Sequence, residues 1–134
     1  MTPRFHAHRV DILETPTYRL VGFADRTNDT ADYLMLQRGI EDDEQDIALG
    51  LDTYYVERKD AGSGGYGGIA KFELHRDRAN VTFTDEGARR MDDIVEMEIT
   101  FHVDDATFRN LHAYLEQVLA GASCYRMDVA CETK

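Results

Sequence analysis

The most regular feature of the sequence is the alternation of apolar and polar side chains between Val95 and Val103. Glutamate, threonine and histidine occupy every second position, and the positions between them form one apolar face: Val95, Met97, Ile99, Phe101 and Val103. Such a period of two is typical of a β-strand with one buried face. The same alternation recurs on both sides of a turn at residues 77–80 and predicts a β-hairpin with these apolar positions: Ala70, Phe72, Leu74, Val81 and Phe83.

Four segments in the first half of the chain also predict strands: residues 4–12, 17–24, 33–38 and 53–58. Pro16 separates the first two, because proline interrupts a strand. Residues 33–38, YLMLQR, are apolar enough to predict a strand in the interior of a sheet. In the segment 53–58 the alternation puts Tyr54 and Tyr55 on opposite faces.

One long helix is predicted after Asp104. Asp104 is a favourable N-cap, and Asp105 lies near the positive end of the helix dipole. The apolar residues that follow recur at helical spacing: Phe108, Leu111, Leu115, Val118 and Leu119. Gly121 can end this helix in a left-handed conformation. A shorter helical turn is predicted near residues 84–91.

These elements predict an α+β fold, with a mostly antiparallel β-sheet and one main C-terminal α-helix packed on one face. The other face of the sheet is expected to be in water. We expect the core to lie between sheet and helix and to contain Phe72, Leu74, Phe83, Met97, Ile99, Phe101, Phe108, Leu111, Leu115 and Leu119. A length of 134 residues predicts one domain, so residues 1–134 are expected to fold as a single unit.

The chain is strongly acidic, with 26 Asp and Glu residues against 15 Lys and Arg residues and a formal net charge of −11. Such a charge repels nucleic acids and anionic membranes and favours a basic partner. No apolar run is long enough to span a membrane, and the first residues lack the apolar core of a signal peptide. We therefore expect a cytoplasmic protein in which Cys124 and Cys131 are reduced thiols.

The acidic residues are most concentrated in the stretch GIEDDEQDIALGLDTYYVE, residues 39–57. Five carboxylates occupy six successive positions there: Glu41, Asp42, Asp43, Glu44 and Asp46. An EF-hand loop that began at Asp42 would need glycine at its sixth position and glutamate at its twelfth, but Ile47 and Thr53 stand there. The run therefore does not predict a calcium site.

The remaining motifs do not predict a catalytic or metal site. Residues 62–67 match the phosphate-binding pattern G-x-G-x-x-G, but a strand follows instead of a helix, so the glycines are interpreted as a connection with positive φ. His6 and His8 share one face of a predicted strand, and no nearby ligand completes a metal set. We expect no catalytic residue, no metal and no cofactor. The alternative interpretation is a small enzyme or ligand-binding domain with a pocket near the glycine-rich stretch.

Four short motifs, taken in order along the chain, resemble the immunity protein 10 family. They are Tyr33-Leu34-Met35-Leu36-Gln37-Arg38, Asp43-Glu44-Gln45-Asp46, Tyr54-Tyr55-Val56-Glu57 and Tyr66-Gly67-Gly68. The resemblance covers about residues 18–119 and leaves residues 122–134 as an additional tail. Members of this family are small bacterial proteins of polymorphic toxin systems, which protect a cell from a toxin made by itself or its kin. The resemblance therefore implies a non-catalytic inhibitor of a protein toxin.

Two groups of residues are the predicted partner-binding site: the acidic run Glu41, Asp42, Asp43, Glu44 and Asp46, and the tyrosines Tyr54, Tyr55 and Tyr66. We expect the acidic run to be exposed, because five neighbouring charges cannot be buried without counter-ions. Exposed carboxylates would attract a basic toxin such as a nuclease. One of the tyrosines is expected to supply a less polar anchor beside them, since tyrosine is common at binding hot spots.

Overall fold

The computed structural model describes residues 4–25, 33–39, 54–58, 64–91, 93–120 and 124–127. Within these ranges the strands are β1 (Arg4–Ala7), β2 (Arg9–Glu14), β3 (Tyr18–Ala24), β4 (Tyr33–Gly39), β5 (Tyr55–Arg58), β6 (Gly64–Tyr66), β7 (Ile69–Leu74), β8 (Arg78–Phe83), β9 (Glu96–Phe101) and β10 (Tyr125–Met127). The helices described there are α1 (Asp85–Arg90) and α2 (Asp105–Val118).

The strands form two sheets of five strands each. Sheet A has the order β1-β9-β8-β7-β10, and sheet B has the order β2-β3-β4-β5-β6. Neighbouring strands are antiparallel except at the two edges of sheet A, where β1 pairs with β9 and β10 pairs with β7 in parallel. The predicted α+β class is confirmed, and the strand predicted from residues 33–38 is interior, as β4. The prediction of one sheet is wrong, because there are two.

The second sheet was not predicted because single segments of the chain serve both sheets. The segment 4–12 was predicted as one strand, but it bends at His8, so β1 joins sheet A and β2 joins sheet B. At the opposite edge of sheet B, β6 continues into β7 of sheet A through Gly67 and Gly68, whose φ angles are +72° and +98°. Glycine adopts such angles at little steric cost. Both outer strands of sheet B therefore run on into sheet A.

The core lies between the inner faces of the two sheets and beside α2. Phe23 of β3 stacks on Phe101 of β9, with ring centroids 5.9 Å apart. Helix α2 packs along β3 and contributes Phe108, Leu111 and Leu115 to the same cluster. All ten residues predicted for the core are buried. Full burial of one such side chain contributes about 1.5–3 kcal/mol.

Two apolar positions near strand ends differ from the prediction. Val95 was assigned to the buried face of its strand, but it precedes the paired residues of β9 and is 58 % exposed. Ala70 was assigned to the same face as Phe72, but a register shift between Ile69 and Lys71 turns Ala70 outward. Such an irregularity inserts one extra residue and moves its neighbours to the other face.

The helix ends are capped by side chains, and one of these caps, the N-cap of α2, was predicted. The Asp104 carboxylate accepts a hydrogen bond from the Thr107 amide at 2.8 Å, which confirms the predicted N-cap of α2. Hydrogen bonds from the side chain and the amide of Thr107 lower the pKa of Asp104. Thr84 caps α1 in the same way, within the predicted helical turn. Arg38 donates to the Ala120 carbonyl at 2.6 Å, beyond the last turn of α2. The predicted stop at Gly121 lies outside the described residues.

Candidate functional site

The predicted partner-binding residues fall into three groups in the structure. The acidic run from Glu41 to Asp46 lies outside the described residues. Tyr54 is buried, with only 3 % of its surface exposed. Tyr55 is half-buried and Tyr66 is 45 % exposed, and these two are direct neighbours across β5 and β6. Of the three tyrosines predicted for the site, Tyr55 and Tyr66 therefore present a side chain at the surface and Tyr54 does not.

Tyr54 is held by backbone groups at the junction between the sheets. Its hydroxyl accepts a hydrogen bond from the Ile69 amide at 2.8 Å, and its carbonyl accepts one from the Gly67 amide at 3.0 Å. Burial raises the pKa of Tyr54. Because these bonds join the residue before β5 to the turn and to the first residue of β7, Tyr54 fixes the position where the chain passes between sheets.

Arg90 fills the space around the glycine-rich stretch. Its guanidinium donates to the carbonyls of Tyr66 and Gly67, at 3.3 and 3.4 Å. A Cβ atom added to Gly65 would lie only 1.7 Å from Arg90 Nη1, so the glycine makes room for the arginine. The alternative hypothesis of a ligand pocket at this stretch gains no support, since the protein's own side chain occupies the space.

The hydroxyls of two tyrosines meet the Glu57 carboxylate on the outer surface of sheet B. The Tyr33 hydroxyl donates to Glu57 Oε2 at 2.6 Å, and the Tyr55 hydroxyl donates to Glu57 Oε1 at 3.1 Å. Burial and the Glu57 carboxylate raise the pKa of Tyr55, so its hydroxyl remains a donor at neutral pH. Tyr66 packs edge-on against Tyr55, with ring centroids 5.3 Å apart. Sequence reasoning did not single out Tyr33 or Glu57.

The outer faces of the two sheets differ in chemistry. On sheet B the register aligns one outward residue from each strand in a single row: Leu13, Leu20, Gln37, Tyr55 and Tyr66. Leu13 at the far end of this row is 46 % exposed. On sheet A the outer face instead carries ion pairs with N–O distances of 3.2 Å: Arg4–Glu98 and Lys71–Glu73. The outer face of sheet B therefore offers more apolar and aromatic surface than that of sheet A.

A concavity of about 320 Å³ lies on this outer face beside Gly22 of β3. Leu20, Met35 and Tyr33 line it, and Arg9 and Asp11 stand at its rim. Arg9 Nε and Asp11 Oδ2 are 2.9 Å apart and form an ion pair. A concave, largely apolar surface with few polar groups is the usual shape of a binding site.

Among the described residues, Cys124, His6 and His8 are held in local structural contacts. Cys124 is buried, and burial raises the pKa of its thiol, which disfavours the nucleophilic thiolate. Cys131 lies outside the described residues. His6 Nδ1 lies 2.9 Å from Thr100 Oγ1, and His8 Nδ1 lies 2.7 Å from the Asp25 carbonyl. Among the residues that the structure describes, no three His, Cys, Asp or Glu side chains are placed to hold a metal ion.

The family model described as Immunity protein 10 matches residues 6–109. The chain belongs to the immunity protein 10 family. Neither a curated protein nor a solved structure matches it significantly. Membership of the immunity protein 10 family implies an immunity function. Within the described ranges, neither helix has the length and apolar character needed to cross a lipid bilayer.

The motifs that resemble the immunity protein 10 family have different structural roles in this chain. Arg38 caps α2, while Tyr54 and the pair Gly67 and Gly68 form the junction between the sheets. These residues maintain the fold. Tyr55 and Glu57 of the same family motifs are half-exposed on the outer face of sheet B. A motif of the immunity protein 10 family thus also contributes to the candidate binding surface.

Proposed function

We propose that this protein neutralises a cognate bacterial toxin by binding it through the outer face of sheet B, with the acidic run Glu41–Asp46 beside that face. In this proposal the protein acts in the bacterial cytoplasm as part of a polymorphic toxin system and has no catalysis of its own. The observation that carries it is the contrast between the two outer faces. The outer face of sheet A carries the ion pairs Arg4–Glu98 and Lys71–Glu73, whereas Leu13 and the Tyr55–Tyr66 pair face outward on sheet B.

The burial and chemistry of the tyrosine pair suit a protein interface. Tyrosine gives a large contact area, loses little conformational entropy on binding and keeps a polar hydroxyl. The edge-on contact with Tyr55 limits the orientations open to the exposed Tyr66 ring. A preoriented aromatic side chain binds more strongly than a mobile one, because less ordering is required on association.

Chain connectivity supports a role for the acidic run at the same surface. The run connects β4 to β5, which are antiparallel neighbours. Its attachment points, Gly39 and Tyr54, therefore lie at the end of sheet B where Gln37 pairs with Tyr55. The acidic run belongs to the segment that joins these two points along the chain. In this proposal its carboxylates and the tyrosine pair contact the same partner.

The test uses the purified toxin encoded beside this gene and follows binding kinetics. Tyr66→Ala is expected to speed dissociation by about ten-fold for each ~1.4 kcal/mol of binding energy that is lost. The melting temperature should stay within a few degrees of wild type, because Tyr66 is an exposed residue at the sheet edge.

Val95→Ala is the matched control, since Val95 is an exposed apolar residue directly before β9 of the other sheet. We expect it to leave both rates unchanged. If Tyr66→Ala dissociates as slowly as wild type, the outer face of sheet B is not the binding surface. If the wild-type protein does not bind this toxin at all, the proposed immunity function itself is wrong.

A further inference from the structure

Gly22 occupies a position where a strand normally carries a side chain. It lies in the interior of β3, paired with Asp11 on one side and Met35 on the other. Glycine inside a strand lowers stability, because it orders a flexible backbone and packs no side chain. A Cβ atom added here would meet nothing closer than 3.8 Å, at Asp11 and Leu20, and the φ angle is not left-handed. Neither packing nor backbone conformation therefore requires the glycine.

The missing side chain leaves the concavity of about 320 Å³ open. Its floor is the backbone around Gly22, and its walls are the apolar parts of Leu20, Met35 and Tyr33. The two charges at the rim, Arg9 and Asp11, are paired with each other. The concavity therefore accepts an apolar stem without adding a net charge of its own.

An uncompensated carboxylate lies at the next strand. Glu57 pairs with Met35 in the register, and its Oε2 accepts the hydrogen bond from Tyr33, which also lines the concavity. The two tyrosine hydroxyls are its hydrogen-bond partners, and it forms no ion pair with a described basic residue. A carboxylate has about four acceptor positions, so it can bind a cation while it keeps both hydroxyls.

We propose that the groove from Gly22 to Glu57 receives one arginine side chain of the partner. Its methylene stem would lie on Gly22 and Met35, and its guanidinium would reach the Glu57 carboxylate beside the Tyr33 ring. Neighbouring strands are about 4.8 Å apart, so Gly22 and Glu57 lie two spacings apart, roughly 10 Å, and a long side chain that crosses β4 together with the Glu57 side chain covers this distance. Arginine fits better than lysine, because its planar group stacks on aromatic rings and binds carboxylates through two N–H groups.

Charge complementarity favours this occupant over a purely apolar one. The protein carries a formal charge of −11, and the half-buried carboxylate of Glu57, on the strand beyond Met35 of the concavity, lacks a counter-ion among the described residues. An apolar side chain in the groove would remove water from Glu57 without compensation, which is unfavourable. The inference rests on the proposed function, because the arginine belongs to the toxin.

Two variants test the two ends of the groove against the purified toxin encoded beside this gene. Glu57→Gln removes the charge and keeps the shape, and we expect it to weaken binding at least about ten-fold. Gly22→Val fills the concavity with a residue that strands favour, and we expect a similar loss with no loss of stability. Thr82→Val is the matched control, because Thr82 faces outward on β8, an interior strand of sheet A. It should bind like wild type.

A double-mutant cycle identifies the occupant. The exposed arginines of the toxin are changed to alanine one at a time, and each variant is measured with wild type and with Glu57→Gln. One arginine should couple: in its absence, Glu57→Gln should cost less than about two-fold. The inference is wrong if both Glu57→Gln and Gly22→Val bind the toxin with wild-type affinity. It is also wrong if these variants weaken binding but no arginine of the toxin couples to Glu57.

Tyr66→Ala separates this inference from the proposed function. If Tyr66→Ala weakens binding but the groove variants do not, the outer face of sheet B is the binding surface and the arginine assignment is wrong. If none of the three variants changes binding, the proposed surface is wrong together with its groove. If Gly22→Val weakens binding and Glu57→Gln does not, the occupant is apolar and the assignment to arginine fails.

Discussion

Tyr54 and Tyr55 are adjacent in the chain, but Tyr54 stabilises the fold and Tyr55 belongs to the outer surface of sheet B. Successive side chains of an extended chain point to opposite faces, so one hydroxyl enters the core and the other faces the solvent side of sheet B. The inner hydroxyl accepts the Ile69 amide at 2.8 Å, and the outer one donates to Glu57 at 3.1 Å. The same chemical group therefore stabilises the sheet junction at one position and orients a carboxylate at the next.

We expect Tyr54→Phe to lower the free energy of unfolding by about 1–3 kcal/mol, because the buried Ile69 amide would lose its acceptor. Tyr55→Phe is the control, since its hydroxyl is half-exposed and water can replace it at Glu57. Its cost should stay below about 1 kcal/mol. Urea unfolding followed by circular dichroism measures both. Equal costs for the two variants would mean that Tyr54 does not support the junction.

At the scale of elements, α1 touches the turn between β6 and β7 through glycine. A Cβ atom on Gly87 would lie 2.1 Å from the Gly68 carbonyl oxygen, which also accepts hydrogen bonds from Thr84. Without a side chain at position 87, the first turn of the helix reaches the backbone of the turn. This close approach fixes α1 against the chain segment that carries Tyr66.

Gly87→Ala is therefore expected to destabilise the protein, although alanine usually stabilises a helix by about 1 kcal/mol relative to glycine. The clash with a backbone oxygen should cost about 1–3 kcal/mol more than the propensity gain. Gly22→Ala is the matched control, because its Cβ has room, and it should raise stability by about 0.4–1 kcal/mol. Thermal and urea unfolding of both variants measure these changes in stability. If Gly87→Ala were more stable than wild type, the helix could move away from Gly68.

The sequence predicted the positions of individual strands better than it predicted which strands pair with each other. Alternation located β7, β8 and β9 and the apolar face of each, because the period of two follows directly from burial on one side. It could not divide residues 4–12 at His8, since the alternation continues through the bend and pairing depends on residues far along the chain. It also did not indicate that the hydroxyls of Tyr33 and Tyr55 meet at Glu57. Outward tyrosines on two neighbouring strands were the available signal.

The whole molecule contributes its charge to recognition. A formal charge of −11 creates a long-range field that attracts basic partners, and such steering raises association rates by about 10–10³-fold at low salt. The field acts before contact, so its effect is on association. Contacts at the tyrosine pair form later and control dissociation.

We expect the combined change Asp42→Asn, Asp43→Asn and Glu44→Gln to slow association with the cognate toxin and to flatten its salt dependence. Dissociation and melting temperature should change little, because the field contributes mainly to the encounter. Stopped-flow measurements at several salt concentrations provide the test. Removing three carboxylates from the sheet A side, for instance by Glu73→Gln, Glu96→Gln and Glu98→Gln, controls for the change in net charge. An equal slowing by both sets would assign the effect to net charge and not to the acidic run.

The parallel pairing of β1 with β9 also sets how long β1 must wait for its partner strand during synthesis. His6 lies beside Thr100, 94 positions further along the chain. A ribosome adds about 5–20 residues per second, so roughly 5–20 s separate the synthesis of the two strands. Throughout that interval the backbone amides and carbonyls of β1 have no sheet partner, and a chaperone or another nascent chain can pair with them. The segment that is made before every other described strand is therefore among the last to enter the native sheet.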